Sequence, residues 1–173
     1  MPVVVPRYDL PHAAPEPLRL VQRFVNTADH ENQREWIGTP EELAAFLGCE
    51  VCEAHVEESH ELREALRLLL RANNGAPFDA AALAPVNRVA AGLVLRLDDG
   101  ATPQIAARDP LGRIVAVAFG AMLDGTWPRL KSCPNCSWAF YDYSRNRSAN
   151  WCSMQICGNR LKTRAYRSRR ARP

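Results

Sequence analysis

Four cysteines near the end of the chain, Cys133, Cys136, Cys152 and Cys157, limit its fold more than any other feature. Two, fifteen and four residues separate them in turn, which makes two close pairs joined by an interval long enough for a hairpin. Thiolates suit zinc, and four protein ligands leave no position for water or substrate. The spacing therefore predicts one structural zinc rather than a catalytic one. Disulfides or two unrelated cysteine pairs are the alternatives. Pro134-Asn135 favours a tight turn that aims the first two sulfurs at one point. The second pair sits where a helix should begin, because the residues from Ser153 onward are mostly good helix formers. A strand, a return strand and a helix around one metal make a treble-clef-like finger. Metal binding contributes on the order of 10 kcal/mol or more to such small units.

Charge divides the chain at the same place. Residues 1–130 hold 12 Lys/Arg against 18 Asp/Glu, a net of minus 6, whereas residues 131–173 hold 10 against 1, a net of plus 9. A basic finger on an acidic body points to a polyanion as partner. If a helix runs from Ser153 past Tyr166, Arg160, Arg164 and Arg167 share a stripe and Lys162 lies opposite. Arg145 and Arg147, at the turn of a hairpin between the cysteine pairs, extend the footprint. These six are the candidate nucleic-acid-binding residues, and phosphate is the group they suit. A solvated basic tail is the bland alternative. Trp138, Phe140 and Tyr141 fit a miniature core better than a base-stacking surface.

The same residues carry a resemblance. The run from Trp138 to Ser148, with Trp151-Cys152-Ser153-Met154 and Cys157-Gly158-Asn159-Arg160, resembles the CGNR zinc finger. Leu20-Val21, Phe24-Val25-Asn26-Thr27, Leu62-Arg63-Glu64-Ala65-Leu66 and the approach to Gly125-Thr126-Trp127 are similar to the ABATE domain. That family sets the finger behind an ABATE domain in bacterial stress-induced transcription regulators. The resemblance implies transcription regulation with DNA as partner; metal spacing and charge by themselves imply only nucleic acid. Ala149-Asn150 stands where members often carry basic residues, and the first cysteine pair is closer than in many of them.

The fold class expected is α+β. A mostly helical, ABATE-like body with a small antiparallel sheet would span residues 1–127, and a treble-clef-like finger with a basic C-terminal helix residues 128–173. The hydrophobic fraction of 47% belongs to a folded chain. The first sixteen residues read as an extended, proline-rich lead-in. Leu18, Val21, Phe24 and Val25 recur at helical spacing and stop at Asn26-Thr27. Thr39-Pro40-Glu41-Glu42 is a capping box, and Gly48 ends the helix it starts. Ser59 to Asn73 is the clearest helix, with Leu62, Ala65, Leu66 and Leu69 on one face and Arg63, Arg67 and Arg71 as a solvated stripe beside it. A helix capped by Asp79 follows. Leu93 to Leu97 reads as a strand, Asp98-Asp99-Gly100 as a hairpin turn, and Gln104 to Ala107 as the partner strand. Asp109-Pro110 opens another helix, ended by Gly125, and the short joint Thr126-Trp127-Pro128 implies that body and finger touch.

Asn26, Arg63 and Arg67 are the candidate ligand-binding residues of the body. A buried amide at Asn26 could tie down a turn or face a small molecule, and guanidinium groups match a carboxylate or phosphate with paired hydrogen bonds. Cys49 and Cys52, with His55 and His60, invite a second metal site or a redox pair. The spacing favours ordinary, partly buried cysteines, because a helix starting nearby would fan these side chains around its axis. No apolar run approaches membrane-spanning length and no targeting signal is visible at Met1–Pro6. Close cysteine pairs then suit a reducing, cytoplasmic interior. The function expected is a DNA-binding transcription regulator whose body senses a small molecule or partner. An RNA-binding accessory protein, or an adaptor with a purely structural zinc, are the other readings. No nucleophile, acid-base pair or open metal position coheres into an enzyme site.

Overall fold

A computed structural model describes residues 12–160 and residue 163 of the chain. The fold is α+β, with five α-helices and three separate two-stranded antiparallel sheets among the described residues. Helix α1 (Arg19–Val25) buries Val21, Gln22, Phe24 and Val25, and leads through Asn26 into a small hairpin of β1 (Ala28–Asp29) and β2 (Arg34–Glu35). This hairpin leaves no periodicity in the sequence, because strands of two residues are too short to alternate.

Helix α2 (Pro40–Leu47) has the expected capping box. Thr39 Oγ1 accepts from the Glu42 amide at 3.3 Å, and Glu42 Oε2 accepts from the Thr39 amide at 3.2 Å. Gly48 closes the helix at φ 75°, a left-handed position that only glycine takes without steric cost. The longest helix, α3 (Glu53–Asn73), starts six residues before the expected Ser59, with Cys52 at its N-cap. Its apolar face, Leu62, Ala65, Leu66 and Leu70, runs through the centre of the core. A 3-10 turn at Ala80–Ala82, capped by Asp79, precedes α4 (Leu83–Ala90). Strands β3 (Leu93–Leu97) and β4 (Pro103–Ala107) pair with Leu95 opposite Ile105, and Asp98 accepts the turn amides of Gly100 and Thr102 at 2.9 Å. Helix α5 (Pro110–Leu123) starts on Asp109, whose Oδ1 accepts from Leu111 at 2.7 Å.

The remaining hairpin, β5 (Leu130–Ser132) with β6 (Ala139–Tyr141), belongs to both halves of the molecule. Leu130, Ala139 and Tyr141 join the main core with Trp127, whereas Phe140 turns the other way into a small cluster with Cys133, Cys152 and Cys157. This is the alternation of a strand with two buried faces. The end of the proline-rich lead-in runs alongside: the Tyr141 amide donates to the His12 carbonyl at 3.0 Å, and the Tyr143 hydroxyl to the Ala13 carbonyl at 2.7 Å.

Candidate metal centre

The knuckle between β5 and β6 carries the first cysteine pair. Its neck is closed by Cys133 N donating to Trp138 O and Ser137 N to Cys133 O, both at 2.9 Å, with Ser137 at φ 64°. Of the second pair, Cys157 rides on a wide π-helical turn, Met154–Gly158, and Cys152 stands just before its cap, Ser153, whose Oγ accepts the Ile156 amide at 3.3 Å. Gly158 follows Cys157 because the indole of Trp151 lies against it: a Cβ there would collide with Met154 Sδ and sit 3.1 Å from Trp151 Cδ1.

The four sulfurs converge. Cys136 Sγ lies 3.5 Å from Cys152 and 3.6 Å from Cys157, Cys152 lies 3.5 Å from Cys157, and with Cys133 all are within 4.8 Å of one another. A disulfide requires about 2.05 Å, and all six cysteines are free. Sulfurs placed tetrahedrally about 2.3 Å from one zinc stand roughly 3.8 Å apart, so the cluster has the dimensions of a single tetrathiolate site. The thiols conflict without a cation. Hydrogen bonds from Cys136 and then Cys152 pull Cys133 far below the ordinary thiol range, while their contacts with Cys133 push Cys136 and Cys152 far above it. A divalent cation removes that conflict, since it holds every ligand as thiolate. Backbone amides of Cys136 and Cys152 also point at Cys133 Sγ, that of Trp138 at Cys136 Sγ, and Asn135 Nδ2 donates to Cys157 Sγ at 3.4 Å. Such donors spread the negative charge of a thiolate set. The protein holds one structural zinc in this site.

The finger hairpin encloses the first cysteine pair instead of lying between the pairs. Residues 142–150 form a loop with no strand, and Arg145 and Arg147 are exposed on that loop, not at a hairpin tip. What shapes the loop is a buried ion pair that the sequence reading missed. Lys131 Nζ donates to Asp142 Oδ2 at 2.7 Å, to the Arg147 carbonyl at 2.6 Å and to the Ala149 carbonyl at 3.0 Å. The Asp142 carboxylate accepts in addition from the amides of Ser144 at 2.8 Å and Ala149 at 3.0 Å. Asp142 is the one acid in a basic segment, which was the available signal. Arg160 is also exposed, and it pairs with Glu31 in the β1–β2 turn of the body. Lys162, Arg164 and Arg167 lie outside the described residues.

The three body candidates lie in the joint between body and finger. The Asn26 side chain accepts from the Ala139 amide at 2.7 Å and donates to the Ala139 carbonyl at 2.9 Å, which matches one edge of β6 with both ends of the amide. Arg63 and Arg67 are buried rather than part of a solvated stripe; of the three stripe arginines only Arg71 is exposed. Arg63 forks onto Glu35 with two bonds of 2.7 Å and reaches Thr27 Oγ1 at 3.2 Å. Arg67 donates to the carbonyls of Ser137 and Val25 at 2.6 Å. Glu64 bridges the two, 3.1 Å from Arg63 Nε and 3.0 Å from Arg67 Nε. Burial alone would raise the Glu35 and Glu64 carboxyls, yet these guanidinium groups hold both below the ordinary range. The three side chains thus spend their hydrogen bonds on the protein itself. None of them lines the two clefts found beside α5.

At the C-terminus of α3, Asn73 Nδ2 donates to the carbonyls of Trp127 and Leu130, and Asn74 Nδ2 to those of Ser132 and Asn150, all at 2.9 Å. Asn26→Ala is expected to cost about 1–3 kcal/mol, because it strands the buried Ala139 N–H of β6, while the Ala139 carbonyl keeps the Gln22 Nε2 donor at 3.2 Å. The shift of a urea unfolding midpoint at unchanged slope measures it.

Two family models match the chain. The CGNR zinc finger covers residues 129–170. ABATE, described as "Putative stress-induced transcription regulator", covers residues 18–125. A search of curated proteins found no match. With the family match spanning most of the body and the four thiols of the finger converging as zinc ligands, this chain is a member of the ABATE family and carries a CGNR zinc finger behind its ABATE domain.

Proposed function

We propose that this protein regulates transcription by binding duplex DNA through the basic flank of its zinc finger, and that its body senses a small molecule. The carrying observation is the anchored loop. Lys131 and Asp142 are buried and hold the backbone at Arg147 and Ala149, so the exposed Arg145 and Arg147 project from a fixed base next to the metal centre. Fixed cations give up less entropy on meeting phosphates than cations on a loose tail. The family match supports transcription, and the plus 9 charge of residues 131–173, from 10 Lys/Arg and 1 Asp/Glu, supports a polyanion.

A cleft of about 600 Å³ beside α5 supports the sensing part of the reading. Leu20, Phe46, Ile114 and Val117 line it along with Arg23, Arg108 and Arg113, which outnumber the carboxylates of Glu16 and Asp109, a lining that suits an anion with an apolar body. The protein acts here by binding, without catalytic turnover. No helix among the described residues is long and apolar enough to cross a membrane.

The test is a salt titration of the zinc-loaded chain against random duplex DNA and structured RNA. Steep salt dependence with preference for the duplex is expected. In an Arg145→Gln/Arg147→Gln variant the slope of log K against log salt should fall by up to about 1.8, at roughly 0.9 per phosphate contact. Preference for RNA would replace this reading with that of an RNA-binding accessory protein. Failure to bind either at moderate salt would make the finger a docking module for an acidic protein.

A further inference from the structure

At the end of α3 farthest from the finger, three side chains that the metal centre does not use come together. Cys52, the N-cap of the helix, is exposed, and its Sγ lies 3.0 Å from Nδ1 of His55. The backbone N–H of Cys52 donates to that same nitrogen at 3.2 Å. This bond sets the tautomer: Nδ1 carries a lone pair, the ring proton is on Nε2, and the Cys52 S–H shares that lone pair with the backbone N–H. Nε2 in turn faces Asp109 Oδ2 at 3.7 Å, brought from the start of α5. Asp109 caps α5 with its other oxygen, Oδ1, which accepts from Leu111 at 2.7 Å and Gly112 at 3.1 Å, so Oδ2 is left for the imidazole. Thiol, base and carboxylate therefore stand in the order that lets an imidazole take a thiol proton while a carboxylate steadies the imidazolium.

A second exposed thiol, Cys49, lies three residues earlier on a stretch that belongs to no helix or strand. Neither thiol belongs to the four-cysteine cluster, the one group of metal-ligating side chains found among the described residues. The exposure of Cys49 and Cys52 departs from the partly buried cysteines expected from the sequence. His60 is directed elsewhere, toward the Ile37 carbonyl at 3.2 Å, so the four side chains do not form one site.

We propose that Cys52 is a hydroperoxide-sensitive modification site, with Cys49 as its resolving thiol. His55 Nδ1 takes the Cys52 proton as the sulfur attacks one oxygen of the hydroperoxide. The O–O bond breaks, and the departing alkoxide takes the proton back from the imidazolium, which leaves an alcohol and a Cys52 sulfenic acid. The Cys49 thiol then attacks the sulfenic sulfur. The S–O bond breaks, the S–S bond forms, and the hydroxide leaves with the Cys49 proton as water. Two thiols together lose two electrons, and the peroxide oxygens gain them. Closing the disulfide requires Cα atoms within about 4.4–6.8 Å, which residues 49–52 can reach by folding into a turn because no ladder holds them extended. A helix cap by itself would explain the backbone bond to His55 but gives Asp109 no part in thiol reactivity.

The experiment treats the zinc-loaded full-length chain with an equimolar amount of hydrogen peroxide at neutral pH, quenches it with a maleimide, and maps the peptides by mass spectrometry. The expected result is a Cys49–Cys52 disulfide that forms before zinc is released or any finger cysteine is oxidised. With Cys49→Ser, dimedone should trap a sulfenic acid at Cys52. His55→Ala and Asp109→Asn should each slow oxidation of Cys52 by roughly tenfold or more. Asparagine keeps the α5 cap, so the Asp109 variant tests the carboxylate without unfolding the helix start. A Cys52 that reacts no faster than Cys49, a rate unchanged in both variants, or earlier oxidation of the finger thiols would overturn the proposal.

Discussion

A Cys152→Ser chain is expected to lose at least ~100-fold in zinc affinity, the upper end of what even outer-shell changes cause at metal sites, and with it the salt-sensitive DNA binding proposed for the finger. The reason is the shape of the small cluster. Among the described residues Phe140 is the only fully buried large side chain in it; Cys133, Cys152 and Cys157 are the other buried residues, with Trp138 and Trp151 packed half-buried against them. Metal binding of about 10 kcal/mol or more is what holds the knuckle and the 154–158 turn together. The loss should nevertheless stop partway. Leu130, Ala139 and Tyr141 pack in the main core, and Asn26 and Asn73 grip the same hairpin from α1 and α3. Hydrogen exchange should therefore quicken in residues 133–138 and 144–160 and stay slow in β5, β6 and the five helices. Chelating zinc from the unmutated chain should give the same pattern. A variant that kept stoichiometric zinc would remove Cys152 from the ligand set.

The parts of this architecture that sequence revealed are those fixed by local rules. The Thr39–Glu42 box, the Asp109-Pro110 start and the Asp98-Asp99-Gly100 turn each satisfy backbone groups within a few residues, so their chemistry is written in adjacent letters. The zinc ligands were legible for a related reason: four thiols can serve one metal only at restricted spacings. Long-range partners left no such trace. Arg63 and Arg67 follow helical spacing as a surface stripe would. Their burial depends on Glu35, 28 residues earlier, and on the Ser137 carbonyl, 70 residues later. The sequence favours a structural role for Asn26 over a ligand contact, but it does not show that the partner is Ala139, 113 residues away. The relay of Cys52 and His55 with Asp109 joins two helix starts, and only folding places the carboxylate there.

Lys131→Met should be the most costly single change that leaves the zinc ligands intact, at about 3–5 kcal/mol. Asp142 has no exposed surface, and Lys131 is the cation that compensates it. Burial alone would raise the Asp142 carboxyl, but the hydrogen bonds from Lys131 and Ser144 outweigh it and hold the group below the ordinary aspartate range. In the unmutated chain, then, this pair stabilises the fold above the unfolded pKa of about 3.9, and the contribution is lost as pH falls through the lowered folded value. Removing the cation weakens that contribution. Burial is then opposed only by Ser144 and the Ala149 amide, so the carboxyl sits higher than in the unmutated fold, and the folded variant takes up a proton at higher pH than the unmutated fold does. Mild acidification should consequently narrow the stability gap between Lys131→Met and the unmutated chain. Urea unfolding with excess zinc at pH 7 and again near pH 5.5 measures that gap directly. A gap that stayed constant would mean that Lys131 acts through its bonds to the Arg147 and Ala149 carbonyls and not through Asp142. Those two bonds also anchor the loop bearing Arg145 and Arg147, so the DNA binding proposed for the finger should show a shallower salt slope in the variant even when fully folded.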